Sequence, residues 1–137
     1  MLKIFLINLV VAATLVASSV SVGAAAEMEY VPQASNQREM KITVTPRDLT
    51  HKAAIWDFDV VLETHTQDLS DDLAKSAVLI ADGKQYLPSG WEGAAPGGHH
   101  RKGVLRFKAI APLPAAVELQ IRLAGDPSPR SFKWLLK

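Results

Sequence analysis

Five stretches of this chain alternate apolar and polar residues with a period of two, a pattern that restricts them to strands buried on one face. The longest, Ile55 to His65, sets Trp56, Phe58, Val60, Leu62 and Thr64 on one side and Asp57, Asp59, Val61, Glu63 and His65 on the other. Met40 to Thr45, Val104 to Ile110, Val117 to Leu123 and Ser131 to Lys137 repeat the pattern. Ala77 to Ile80 and Gln85 to Leu87 are shorter candidates, and Glu29 to Val31 is a further one. Turn-forming runs separate them: Asp82-Gly83, Pro88-Ser89-Gly90 and Gly125-Asp126-Pro127. The alternation predicts an all-β fold, an immunoglobulin-like antiparallel β-sandwich of about seven strands. One segment departs from it. Leu69 and Leu73, four apart within Gln67 to Ser76, predict a short helical turn capped by Thr66, Asp68 or Ser70.

The first 26 residues read as an address rather than as fold. Lys3 is followed by an uncharged apolar run from Ile4 to Val22 and then by Gly23-Ala24-Ala25-Ala26, the three parts of a secretory signal peptide with cleavage before Glu27. An uncleaved anchor is the rival reading, and the Ala24-x-Ala26 end favours cleavage. This predicts residues 27–137 as one exported domain, periplasmic or extracellular, with no transmembrane segment once the leader is removed. The chain has no cysteine, so neither disulfides nor thiolate metal sites are available and the core alone must hold the domain.

Charge narrows the partners. Residues 27–100 carry 6 Lys or Arg against 12 Asp or Glu, and residues 101–137 carry 8 against 2, so a formal net charge of +1 hides two opposed halves. Without a net basic surface, a nucleic-acid partner is excluded as an expectation.

The changeover falls in the glycine-rich stretch Pro88 to Gly103, read as a long loop and as the functional or structural centre of the domain. It carries Trp91, His99, His100 and Arg101. Imidazoles ligate zinc and copper, but neighbouring side chains on extended chain point apart. His99 and His100 therefore share an ion only in a turn or with His65 or Glu63 brought from elsewhere. The metal set is accordingly His99, His100 and His65, with zinc or copper as the possible cofactor and none as the simpler expectation. Trp91 and Arg101 are the candidates for contact with a ligand or partner. An alternative places Arg101 with Asp68 and Asp72 in a structural polar network joining the acidic and basic halves. Asp68, Ser70 and Asp72 open with calcium-loop spacing, but Leu73 stands where the turn needs glycine and Leu79 where a bidentate Glu belongs.

Two segments, His65-Thr66-x-Asp68-Leu69-x-x-Asp72-Leu73 and Trp91-x-Gly93 followed by Gly97-Gly98-His99-His100-Arg101-x-Gly103-x-Leu105-x-Phe107, resemble a pattern in exported prokaryotic proteins of unassigned function. The resemblance spans roughly residues 58 to 107 and implies an exported β-domain with an important shared loop, and no reaction. Nucleophile-elbow, phosphate-loop and dinucleotide motifs do not occur. Asp57, Asp59 and Glu63 read better as a solvated strand face than as a glycosidase pair. The function expected is thus a non-enzymatic binding module whose partner is another exported protein or a cell-envelope component. A transition-metal-binding protein using the His99-His100 loop is the alternative.

Overall fold

The computed structural model describes residues 30–136; the leader reading falls outside the described residues. Nine strands and one helical turn follow in order: β1 (Gln33–Gln37), β2 (Met40–Pro46), β3 (Ile55–Thr64), α1 (Leu73–Ser76), β4 (Ala77–Ala81), β5 (Lys84–Tyr86), β6 (Gly90–Gly93), β7 (His100–Lys108), β8 (Ala116–Ile121) and β9 (Arg130–Leu135). They form a β-sandwich of two antiparallel sheets, ordered β1-β2-β3-β7-β6 and β5-β4-β8-β9. The chain crosses between sheets three times, after β3, β5 and β7, so each sheet is completed by strands distant in sequence.

The inward residues of the alternating runs meet in the core. Trp56, Phe58, Val60 and Leu62 of β3, Leu105 and Phe107 of β7, and Leu119, Phe132 and Trp134 of the second sheet are all buried. Phe58 is the hub, edge-on to Phe107 at 5.6 Å and tilted against Trp134 at 5.8 Å. Such pairs add about 0.5–1.5 kcal/mol each to simple burial.

The expectation of about seven strands falls short by two, for two different reasons. β1 replaces the Glu29–Val31 candidate. Its sequence, Gln-Ala-Ser-Asn-Gln, has no apolar face, and pairing with β2 forms it through the two-residue turn Arg38-Glu39. Both turn residues adopt positive φ, 52° and 60°, as a type I′ hairpin demands, although neither is Gly or Asn. β6 lies inside the stretch read as a long loop. Gly90–Gly93 pairs with β7, which leaves only residues 94–99 as a hairpin loop. The helical turn is also shorter than Gln67 to Ser76, and its N-cap is Asp72, whose side chain accepts from the Ala74 amide at 3.1 Å.

One edge of the sandwich is closed by side chains that stand in for backbone. The amide of Gln33 bonds both the N–H and the carbonyl of Lys133, so β9 meets a side-chain imitation of a neighbouring strand. Beneath it, Arg130 is buried and donates to the carbonyls of Met40 at 2.6 Å and Gln37 at 3.0 Å, while its Nε meets Asp126 at 3.2 Å. Replacing Arg130 by Ala strands these carbonyls and the buried carboxylate of Asp126. Arg130→Ala is expected to cost about 3–5 kcal/mol, measured by urea unfolding, and an added Asp126→Ala change should recover part of the loss.

On the outer face of the second sheet, hydrogen bonds from Ser131 and Gln120 hold the Glu118 carboxyl below the usual carboxylate range, against the opposing effect of burial and with help from Lys133. A carboxyl whose folded pKa is depressed stabilises the fold above its unfolded value and loses that contribution as pH falls through the folded value. Glu118→Gln should therefore lower stability at neutral pH, with the gap to the native chain closing below pH 4.5 in pH-dependent thermal melts.

Candidate functional site

The end of the five-stranded sheet where β3 finishes and β7 begins is organised from below by Arg101. β7 alternates, so Arg101 points inward between two exposed neighbours and retains only 2% of its surface in contact with solvent. Its guanidinium donates to main-chain oxygens: Asp71 at 2.5 Å, Leu69 at 3.4 Å and Ala94 at 3.2 Å. These carbonyls belong to irregular segments on either side of it, where no strand partner is available, and a buried carbonyl needs a donor. Burial pulls the Arg101 pKa down, and the nearby charges of Asp71 and Asp72 oppose that shift.

This corrects the expected network in its chemistry while keeping its location. Arg101 serves carbonyls, whereas Asp68 and Asp72 act elsewhere. Asp68 accepts the Gly98 amide at 2.8 Å, and Asp72 caps α1. Asp68 thereby staples the segment after β3 to the hairpin loop, together with Leu69 N–H to Gly98 O at 2.9 Å, Gly97 N–H to Leu69 O at 2.8 Å and Thr64 N–H to His99 O at 2.9 Å. Gly97 and Gly98 take φ of 121° and 78°, which lets the loop turn its amides onto that segment.

Trp91, expected as a contact residue in a flexible loop, is instead a half-buried member of β6. Its ring lies over Gly103, its indole N–H donates to Ala94 O at 3.1 Å, and the Arg101 guanidinium carbon sits 5.4 Å from its ring centre. A Cβ at Gly103 would meet the indole at 2.4 Å. Glycine there makes room for the tryptophan, and the tryptophan covers the arginine.

Above this floor, on the outward face, strand register assembles a polar row. Asn36 pairs with Lys41, Lys41 with Glu63 and Glu63 with His100, across β1, β2, β3 and β7. His65 follows Glu63 by two residues, and the bond from Thr64 N–H to His99 O carries the β3–β7 pairing up to that point. All three histidines singled out from the sequence, His65, His99 and His100, line one open depression of about 600 Å³, together with Lys41 and Glu63. His100 Nε2 stands 3.9 Å from Glu63 Oε1, with both side chains about half exposed or more. Among the described residues, no three His, Asp or Glu side chains converge on one point as they stand.

The other carboxylates of the β3 face are occupied. Arg47 grips Asp59 with two bonds, at 2.8 and 3.0 Å, and that contact raises its pKa; Arg106 bridges Asp57 at 3.3 Å and Glu92 at 3.0 Å. They form an ion-pair ladder from Arg47, just past the end of β2, across β3 and β7 to β6, leaving Glu63 as the acid of this face that opens on the depression. The sequence gives the shared face of Glu63 and His65 by alternation; the neighbourhood of His100, Lys41 and Asn36 depends on pairings that alternation does not specify. Comparison with family models, curated proteins and solved structures finds no match, so the site has to be read from its own chemistry.

Filling Gly103 should loosen this floor without touching the exposed row. Gly103→Ala is expected to destabilise the domain by about 1–3 kcal/mol, with a shift of tryptophan emission as Trp91 is displaced. An equally stable variant with unchanged emission would overturn this account of Trp91.

Proposed function

We propose that the protein is an exported, non-catalytic binding module that engages another exported protein or a component of the cell envelope through the polar depression at the end of its five-stranded sheet. The observation that carries this reading is the contrast between floor and surface. The backbone is fixed by strand pairing, by the Asp68 staple and by buried Arg101, while His65, His100, Glu63 and Lys41 stand exposed upon it. A rigid platform with free polar groups loses little conformational entropy on binding. The leader-like first 26 residues support export. Among the described residues, no helix is long and apolar enough to cross a membrane. The engagement of Asp57 and Asp59 by Arg47 and Arg106 supports a non-catalytic role for that face.

A photo-cross-linking amino acid placed at position 100 in the producing cells tests the reading, with the same group at Ser131 on the opposite sheet as comparison. A discrete adduct is expected from position 100 and absent from position 131, and it should weaken when Lys41 and Glu63 are both replaced by Ala. Equal labelling from both positions, or none from position 100, would sink the proposal.

A further inference from the structure

The triangle Glu63, His65 and His100 has a chemistry of its own. We propose that it is a binding site for a single divalent transition-metal ion of the zinc or copper type, which names the ligand of the binding face inferred above and rests on that reading. The three residues are exposed and line the same depression. His65 stands in the bend just past the end of β3, two residues after Glu63, and His100 is the direct cross-strand partner of Glu63. One carboxylate and two imidazoles form a nitrogen and oxygen donor set suited to these ions, and the chain offers no thiolate to compete.

Distance supports the first two ligands. Donors about 2.1 Å from an ion lie roughly 3.4 Å apart at a tetrahedral angle. The observed 3.9 Å between Glu63 Oε1 and His100 Nε2 closes to that value by a small rotation of two exposed side chains. The strand backbones need not move. His65 then enters from the bend that follows β3, on the rim of the same depression, whose open mouth leaves the fourth coordination position to solvent or to a partner's group.

The ligand set differs from His99, His100 and His65, the one expected from sequence. His99 lines the same depression, but it is the neighbour of His100 along the chain and faces Thr64, whose side chain is buried, rather than Glu63. Glu63 takes its place because register puts it opposite His100. Two cations oppose the ion: Lys41, beside Glu63 in the row, and Lys102, two residues beyond His100 on β7. Their repulsion sets the affinity and supplies a test with a sign.

The test is calorimetric titration of the full chain with Zn²⁺ and, separately, Cu²⁺. One ion per chain is expected. His65→Ala and His100→Ala should each weaken binding at least tenfold and Glu63→Gln several-fold, with melting temperatures unchanged because all three side chains are exposed. Lys41→Met should tighten binding several-fold. His51→Ala, an exposed histidine in the loop at the other end of the sheet, should leave it unchanged. Failure to saturate with either ion, retained affinity in the His65 and His100 variants, or an equal loss in the His51 variant overturns the assignment. Cross-linking from position 36, an exposed residue that lines the same depression and is not a ligand, with and without a chelator, separates the two readings. Adducts formed in a protein that binds no ion remove only the metal, whereas saturable binding without adducts removes only the partner.

Discussion

A sandwich without disulfides has to close its irregular ends by some other means, and here a buried guanidinium does so. Arg101 gathers carbonyls from the segment before α1 and from the start of the hairpin loop, so that two excursions with no strand partners become one surface. The arrangement is costly in isolation, since burial disfavours the charge and lowers the Arg101 pKa. Several main-chain dipoles, the fields of Asp71 and Asp72 and the face of Trp91 offset that cost. Arg130 repeats the device at the β1–β9 side, where it binds three carbonyls and the carboxylate of Asp126. A lysine at either position would bring one charge and no planar fork, and would leave some of these oxygens without a donor.

The same β3–β7 register serves the core and the surface. Pairing Phe58 with Leu105 and Trp56 with Phe107 buries the aromatic hub; five residues along, the identical alignment sets Glu63 opposite His100. A slip of one residue would turn Phe58 and Trp56 toward water, so the core enforces the alignment of the exposed row. Polar residues that contribute little to stability are thereby held in register by apolar ones that contribute much. The ion-pair ladder of Arg47 and Arg106 runs along the same outward face, from the end of β2 across β3 and β7 to β6, and it keeps the remaining acids of the face engaged.

Legibility in the sequence followed burial. Strands β2, β3, β7, β8 and β9 are readable because each has one face in the core, and alternation is the imprint of that asymmetry. β1 leaves no such imprint: it sits at a sheet edge, and both its faces are polar. The Arg38-Glu39 turn hides the hairpin as well, because its left-handed residues are not the ones that usually announce it. β6 is concealed by composition, since Gly-Trp-Glu-Gly reads as loop until Gly93 and Gly103 are seen to approach so closely that a Cβ on either would collide. At the site, alternation places His65 with Glu63 and turns Arg101 away from His100. What it leaves open is which strand lies alongside, and that depends on crossovers between sheets. The expected partnership of Arg101 with Asp68 and Asp72 fails for a related reason. Opposite charges in sequence suggest ion pairs, but a buried irregular backbone makes a stronger demand on donors than an exposed carboxylate that water can satisfy.

That division of labour bears on what the depression can do. The backbone that carries it is held by strand pairing and, on the inward side of the sheet, by Arg101 and the Asp68 contact to the hairpin loop, and its lining is mostly exposed side chains. Exchange of the lining residues therefore changes chemistry without disturbing architecture, whereas exchange of Arg101, Gly103 or Asp68 disturbs both. A loop-borne site would surrender order each time it bound; a row set on paired strands keeps its spacing and adjusts only rotamers, which exposed side chains do on a picosecond to nanosecond timescale. Rigid spacing with free donors suits a ligand whose geometry is demanding and whose size is small. A metal ion held as proposed above would meet that description, and a partner reaching the open coordination position would unite it with the binding face.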